Sequence, residues 1–180
     1  MNKYNTHSDL AKESLELLKE GKHYKRFIEK MDNFSIETYE FLEDTEYLKK
    51  GKYIEFFFKD HISNISEQIT KILKEMIDQN EYPRILVTGL GNPYLTSDAI
   101  GPRTLRDIRV THYLDDSLKL ENHYYDILSL TPGVMYQTGV ETVEVIQAMV
   151  DQFQIDLVIV IDALCAKDYQ KLGHVIQINN

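Results

Sequence analysis

The apolar positions of this chain change period several times, and each change marks an element. From Ser8 to about Glu20, Leu10, Leu15, Leu17 and Leu18 supply one side of a predicted helix, with Ser8 placed to cap it and Gly21 to stop it. FSIETYEFLED then alternates roughly at Phe34, Ile36, Tyr39 and Phe41, with a slip in phase. GKYIEFFFKD follows with Tyr53, Ile54 and Phe56 to Phe58, and the two stretches predict a small β pair. From Ile62 the helical period returns: Ile62, Ile65, Ile69, Ile72, Leu73 and Met76 form one stripe, which ends near DQNEYP because Pro83 cannot continue a helix.

Beyond Arg84 the pattern alternates between strand and helix. RILVTGLG reads as a short buried strand, and DAIGPRTLRDIRV as a helical turn or two interrupted by Gly101 and Pro102. HYYDILSL is a second strand, followed by the turn-rich TPGVMYQTG. ETVEVIQAMVDQF is a helix with Val143, Ile146, Met149, Val150 and Phe153 on one face. IDLVIVIDAL is an almost continuous apolar strand, and GHVIQI one more. This alternation predicts an α/β fold: a three-layer, largely parallel sheet with helices on both faces, preceded by the small helix and β pair. At 180 residues, with no linker or repeat, the chain reads as one domain, residues 1–80 forming a helix/β/helix segment and residues 81–180 the α/β core.

Composition narrows the class. A net charge of −9 argues against binding nucleic acid, which needs a basic face. No apolar run is long enough to cross a bilayer, and the first residues lack the apolar stretch of a signal peptide. A single cysteine, Cys165, excludes an internal disulfide framework and points to a reducing, intracellular compartment.

The candidate chemistry lies where strands end, because sites in such sheets gather outside the carboxyl ends of the strands. RILVT runs into GLGNPYLTSDAIGP, which carries Asp98, and DLVIVID ends at Asp162. If both strands are parallel members of one sheet, the two carboxylates emerge at the same edge. Asp98 has a second reading, as the N-cap of a helix beginning at Ala99. Asp162 follows six apolar residues and is expected to be desolvated, which is costly unless the carboxylate is paired, hydrogen-bonded or neutral. Two carboxylates in one site can serve as acid and base in water-mediated peptide hydrolysis. A phosphate-binding reading of the glycines fares worse: the third fingerprint glycine and the lysine–serine/threonine pair are missing. No G-x-S-x-G elbow or H-E-x-x-H metal spacing occurs, and Cys165 reads as a small apolar filler rather than a nucleophile. In TPGVMYQTGVETVE, Thr138 and Glu141 suggest a capping box opening the following helix.

Three blocks, VTGLGNPYLTSDAIGPRTLRDIRVTHYL, PGVMYQTGVETVEVIQ and DLVIVIDAL, resemble the germination proteases of spore-forming bacteria, an atypical aspartic endopeptidase family, in order and spacing. SDLAKES resembles that family's N-terminal Thr-Asp-Leu-Ala segment. The resemblance implies a fold like that of the hydrogenase-maturation proteases, with Asp98 and Asp162 as the catalytic aspartates and no metal or organic cofactor. It also implies small acid-soluble spore proteins as substrates, a zymogen with a short propeptide, a homotetramer, and a place in the cytoplasm of the spore core. Ser97 stands where the family has proline, and the chain stops at IQINN where the family continues into a glycine-rich segment. Two further readings follow: a shortened homologue that has lost catalysis and binds a partner, and a nickel-dependent maturation peptidase with the aspartates as ligands.

Overall fold

The computed structural model describes residues 8–15, 24–46, 48–58, 65–77 and 84–180. The chain divides into two compact units, residues 1–71 with 164–180, and residues 72–163. Leu17, Leu18, Gly21, Ile62 and Pro83 of the predicted helices lie outside the described residues.

The first unit is built on an antiparallel sheet. β1 (Tyr24–Lys30), β2 (Phe34–Phe41) and β3 (Gly51–Phe58) form a meander, and β7 (Val175–Asn179) pairs antiparallel with the other side of β3. The predicted β pair is therefore the centre of a four-stranded sheet. GHVIQI, expected in the α/β alternation, joins this sheet because Ile176 and Ile178 meet Phe56 and Ile54 in register. Tyr39, Phe41 and Tyr53 are buried with Ala11, the Phe41 and Tyr53 rings meeting edge to face at 5.4 Å.

α1 (Ala11–Leu15) belongs to this unit, and Ser8 lies three residues ahead of the helix rather than at its cap: its hydroxyl accepts the Leu10 N–H and donates to Glu13. Glu13 is buried and also accepts from Lys171 Nζ at 2.7 Å and from the Lys167 N–H at 2.8 Å. Burial works against its ionisation, but these bonds outweigh it and bring the carboxyl down to about 2. Glu37 is held down to about 2 in the same way, burial being overcome by Tyr39, Lys12 and Arg26. Glu55 goes the other way. It is fully buried on β3, one oxygen accepts the Lys12 N–H at 2.8 Å, the other has no partner among the described residues, and burial pushes its carboxyl up. Cys165 is exposed on the segment hydrogen-bonded to Asp9, which corrects its reading as a core filler.

α2 (Ile65–Ile77) carries the expected stripe: Ile65 is buried, Ile69, Ile72, Leu73 and Met76 are partly buried, and Glu67, Lys71, Lys74 and Glu75 are exposed. No helix among the described residues is long and apolar enough to cross a membrane.

The second unit is a parallel α/β sheet. β4 (Arg84–Gly89) lies between β5 (Asp126–Leu130) and β6 (Leu157–Ile161), and both pairings are parallel. The α/β class thus holds, with a parallel sheet of three strands in this unit and an antiparallel sheet in the first. α3 (Ile100–Thr104) and α4 (Asp116–Glu121) connect β4 to β5, while α5 (Met135–Thr138) and α6 (Thr142–Phe153) connect β5 to β6. Ile85, Leu86 and Val87 are buried because β4 is paired on both sides. The amino edge is clamped by Arg84. Its Nε donates to Asp126 at 2.7 Å, its Nη1 to the Phe153 carbonyl at 2.6 Å, and its backbone N–H to Asp156 at 2.7 Å. Thr138 does not cap α6. It ends the single turn of α5, where Gly139 turns left-handed at φ 71°, and Glu141 sits at the α6 N-cap without a side-chain hydrogen bond.

Candidate active site

β4 is the central strand of the second unit: the chain passes from it to β5 on one side and returns to β6 on the other. In parallel sheets of this kind sites gather outside the carboxyl ends of the strands. The Leu90 N–H donates to the Ile161 carbonyl at 2.8 Å, fastening the exit of β4 to the last residue of β6. Asp162 is the next residue after this bond, and Asp98 lies on the loop that leaves β4. Both sequence-predicted aspartates therefore follow the carboxyl ends of adjacent parallel strands.

Asp98 closes a short 3-10 turn, Thr96–Asp98, and its own N–H donates to the Leu95 carbonyl at 2.9 Å. Its side chain does not cap α3: no side-chain bond reaches that helix, whose N-cap is Ala99. Instead one Asp98 oxygen turns back and accepts the Asn92 N–H at 2.8 Å, closing the loop on itself. The Asn92 side chain in turn accepts the Tyr94 N–H at 3.0 Å, a local turn that Asn and Pro93 favour. Gly91 is needed here, with φ at 110° and space so tight that a Cβ would lie 2.0 Å from the Asp98 carbonyl oxygen.

Asp162 is exposed, contrary to the burial expected from the six apolar residues before it. Among the described residues β6 pairs with β4 alone, and its residues are all partly or fully exposed, so a continuous apolar run does not mean cover on both sides. One Asp162 oxygen accepts the N–H of Ala163 at 2.7 Å.

Gly101 is the residue that sequence reasoning undervalued, having been read only as an interruption of a helix. A Cβ on it would stand 2.3 Å from the Leu90 carbonyl oxygen and 2.5 Å from that of Ile161. The start of α3 is thus pressed onto the junction between β4 and β6, bringing the Asp98 loop with it. The only signal in the sequence was its position, three residues after Asp98 and just before Pro102. Among the described residues no group of three or more His, Cys, Asp or Glu is arranged to hold a metal ion.

The loop glycines therefore serve close approach of backbone to backbone, and the edge they shape presents two carboxylates. A family model described as germination protease matches residues 28–180. Germination protease of Clostridium perfringens is 30% identical over 98% of this chain and 60% of its own length. That of Caldanaerobacter subterraneus is 36% identical over 65% of this chain and 38% of its own, and that of Bacillus velezensis 29% identical over 100% and 55%. The chain spans about 60% or less of the length of these curated relatives. With the family model covering most of its residues, the chain belongs to the germination protease family.

Proposed function

We propose that this chain is a peptidase of the germination protease type, with Asp98 and Asp162 acting together on a water molecule. The ionised carboxylate takes a proton from the water as its oxygen attacks the scissile carbonyl carbon. The protonated carboxyl donates a hydrogen bond to that carbonyl, and a proton passes to the departing amine as the C–N bond breaks. The observation that carries this reading is the bond from the Leu90 N–H to the Ile161 carbonyl, which ties together the two strand ends that the aspartates follow. Exposure of Asp162 is consistent with it, since a polypeptide substrate must reach the carboxylate from solvent. No metal or organic cofactor takes part in this reading.

Membership of the family supports small acid-soluble spore proteins as the substrate class, the spore core as the compartment, zymogen processing, and a homotetramer as the working form. The test is cleavage of a purified small acid-soluble spore protein by the wild-type chain, Asp98→Asn and Asp162→Asn. Each variant is expected to keep its circular dichroism spectrum and lose at least about a hundredfold in rate, the scale for removing a catalytic acid or base. Wild-type turnover by either variant would refute the mechanism. A folded wild-type chain with no activity at any pH would instead favour a binding role.

A further inference from the structure

Asp98 and Asp162 are held in different ways. Asp162 accepts the N–H of the next residue, Ala163, a bond supplied by its own stretch of backbone. The bond on Asp98 Oδ2 comes from six residues away, from the Asn92 N–H at 2.8 Å, so its aim depends on the whole loop between them. Asn92 sets that loop. Its backbone carbonyl accepts the Leu95 N–H at 3.1 Å, and the Leu95 carbonyl accepts the Asp98 N–H at 2.9 Å. Its side-chain Oδ1 accepts the Tyr94 N–H at 3.0 Å, closing an Asx turn around Pro93, whose ring fixes one of the rotations inside it. Gly91 bounds the carboxylate at its other oxygen, where a Cβ would lie 2.8 Å from Oδ1. Both Asn92 and Asp98 are partly buried.

We propose that Asn92 is the positioning residue of Asp98: its N–H holds one carboxylate oxygen, and its side chain locks the turn that aims that N–H. This rests on the peptidase reading above and names the residue that orients one of its two carboxylates. A carboxylate free to rotate about its side-chain bonds presents its oxygens to a water in many orientations, few of them reactive. Misplacement by about 1 Å can cost about a hundredfold in rate. A hydrogen bond from a fixed N–H to Oδ2 removes that freedom and leaves Oδ1 for the water. Asparagine suits the task because its amide oxygen makes the turn without a charge. Aspartate would make the same turn but set a second negative charge beside Asp98.

Kinetics and one amide resonance, both measured on the full chain, test the assignment. With a small acid-soluble spore protein as substrate, Asn92→Ala is expected to lose at least about tenfold in kcat while KM stays within about threefold. Asn92→Asp keeps the turn acceptor and is expected to hold kcat within about threefold of wild type at its own optimum pH. The Asn92 amide proton is then followed by NMR during acid titration of the wild-type and Asp98→Asn chains. In the wild type its resonance should move as the Asp98 carboxylate takes up a proton, and that movement should be missing in Asp98→Asn. A folded Asn92→Ala chain with wild-type kcat would overturn the positioning role, leaving Asn92 a residue of the turn alone. Equal losses in Asn92→Ala and Asn92→Asp, or a resonance that moves alike with and without the Asp98 carboxylate, would overturn it as well. If Asn92→Ala does not fold, the resonance decides. The peptidase reading survives each of these results so long as Asp98→Asn abolishes cleavage. A folded wild-type chain that cleaves nothing would overturn the peptidase reading and the catalytic use of Asn92 together, even where the resonance reports the bond.

Discussion

Gly101→Ala gives the most discriminating test of how the site is assembled, because two rules predict opposite signs. Gly101 lies inside α3 with no left-handed φ, and replacing a helical glycine by alanine ordinarily stabilises by about 0.8–1 kcal/mol. Here the new methyl would lie 2.3 Å from the Leu90 carbonyl oxygen and 2.5 Å from that of Ile161, both backbone atoms. Bringing the shorter contact to the 3.0 Å limit requires a movement of at least about 0.7 Å. Overpacking of this kind costs about 1–3 kcal/mol, and losing the Leu90-to-Ile161 hydrogen bond costs about 1 kcal/mol more. After subtracting the helical gain, the variant is expected to be about 1–3 kcal/mol less stable. The assay is urea unfolding joined with amide exchange at Leu90, which the substitution should deprotect. Gly139→Ala is the control. Gly139 is left-handed with nothing within 4 Å of an added Cβ, so alanine there should cost about 1–2 kcal/mol of backbone strain and leave Leu90 protected. A Gly101→Ala chain as stable as wild type, with Leu90 still protected, would refute the account of the junction.

Other expected outcomes concern the buried polar groups. Thr111→Val keeps the shape but removes the hydroxyl that closes the β5 edge, and should cost about 1–3 kcal/mol by urea unfolding and deprotect the Ile127 amide. Glu13 and Glu37 have their folded carboxyls at about 2 against an ordinary 4.5, so their contribution is full above that ordinary value. It is lost as pH falls through about 2, and acid titration of Glu13→Gln should show a shallower loss of stability over this window. Glu55 has the opposite sign: its carboxyl is raised by burial, so its contribution is full below the ordinary glutamate range and lost as pH rises through the raised value. Glu55→Gln removes that loss while keeping an acceptor for the Lys12 N–H, and should raise the urea midpoint at neutral pH.

The strands that pattern reveals are those whose burial is one-sided or complete. β4 was legible in RILVT because it is paired on both flanks and its apolar run is truly buried. β1 was not, because every residue of YKRFIEK after Tyr24 is exposed and no face carries a repeating apolar signal. It forms because β2 offers a continuous antiparallel partner from Tyr24↔Phe41 to Lys30↔Ser35. β7 was legible as a strand but not as a partner of β3, since nothing local in GHVIQI records a pairing more than a hundred residues distant. The turn before α6 misled for a related reason: Thr138 and Glu141 have capping-box spacing, but the left-handed Gly139 between them ends one helix before the next begins.

At the candidate site, the sequence carried the topology better than the environment. That Asp98 and Asp162 should share an edge required only two strands ending in aspartate-bearing segments and a rule about parallel sheets. The expected burial of Asp162 rested on a different inference, that six apolar residues in succession mean a covered strand. β6 shows where that inference fails. The apolar side chains of β6 are only partly covered, and Asp162, the residue that follows the strand, is exposed. The continuous run LVIVI, ordinarily a liability at an edge, is thus tied to the same geometry that exposes Asp162.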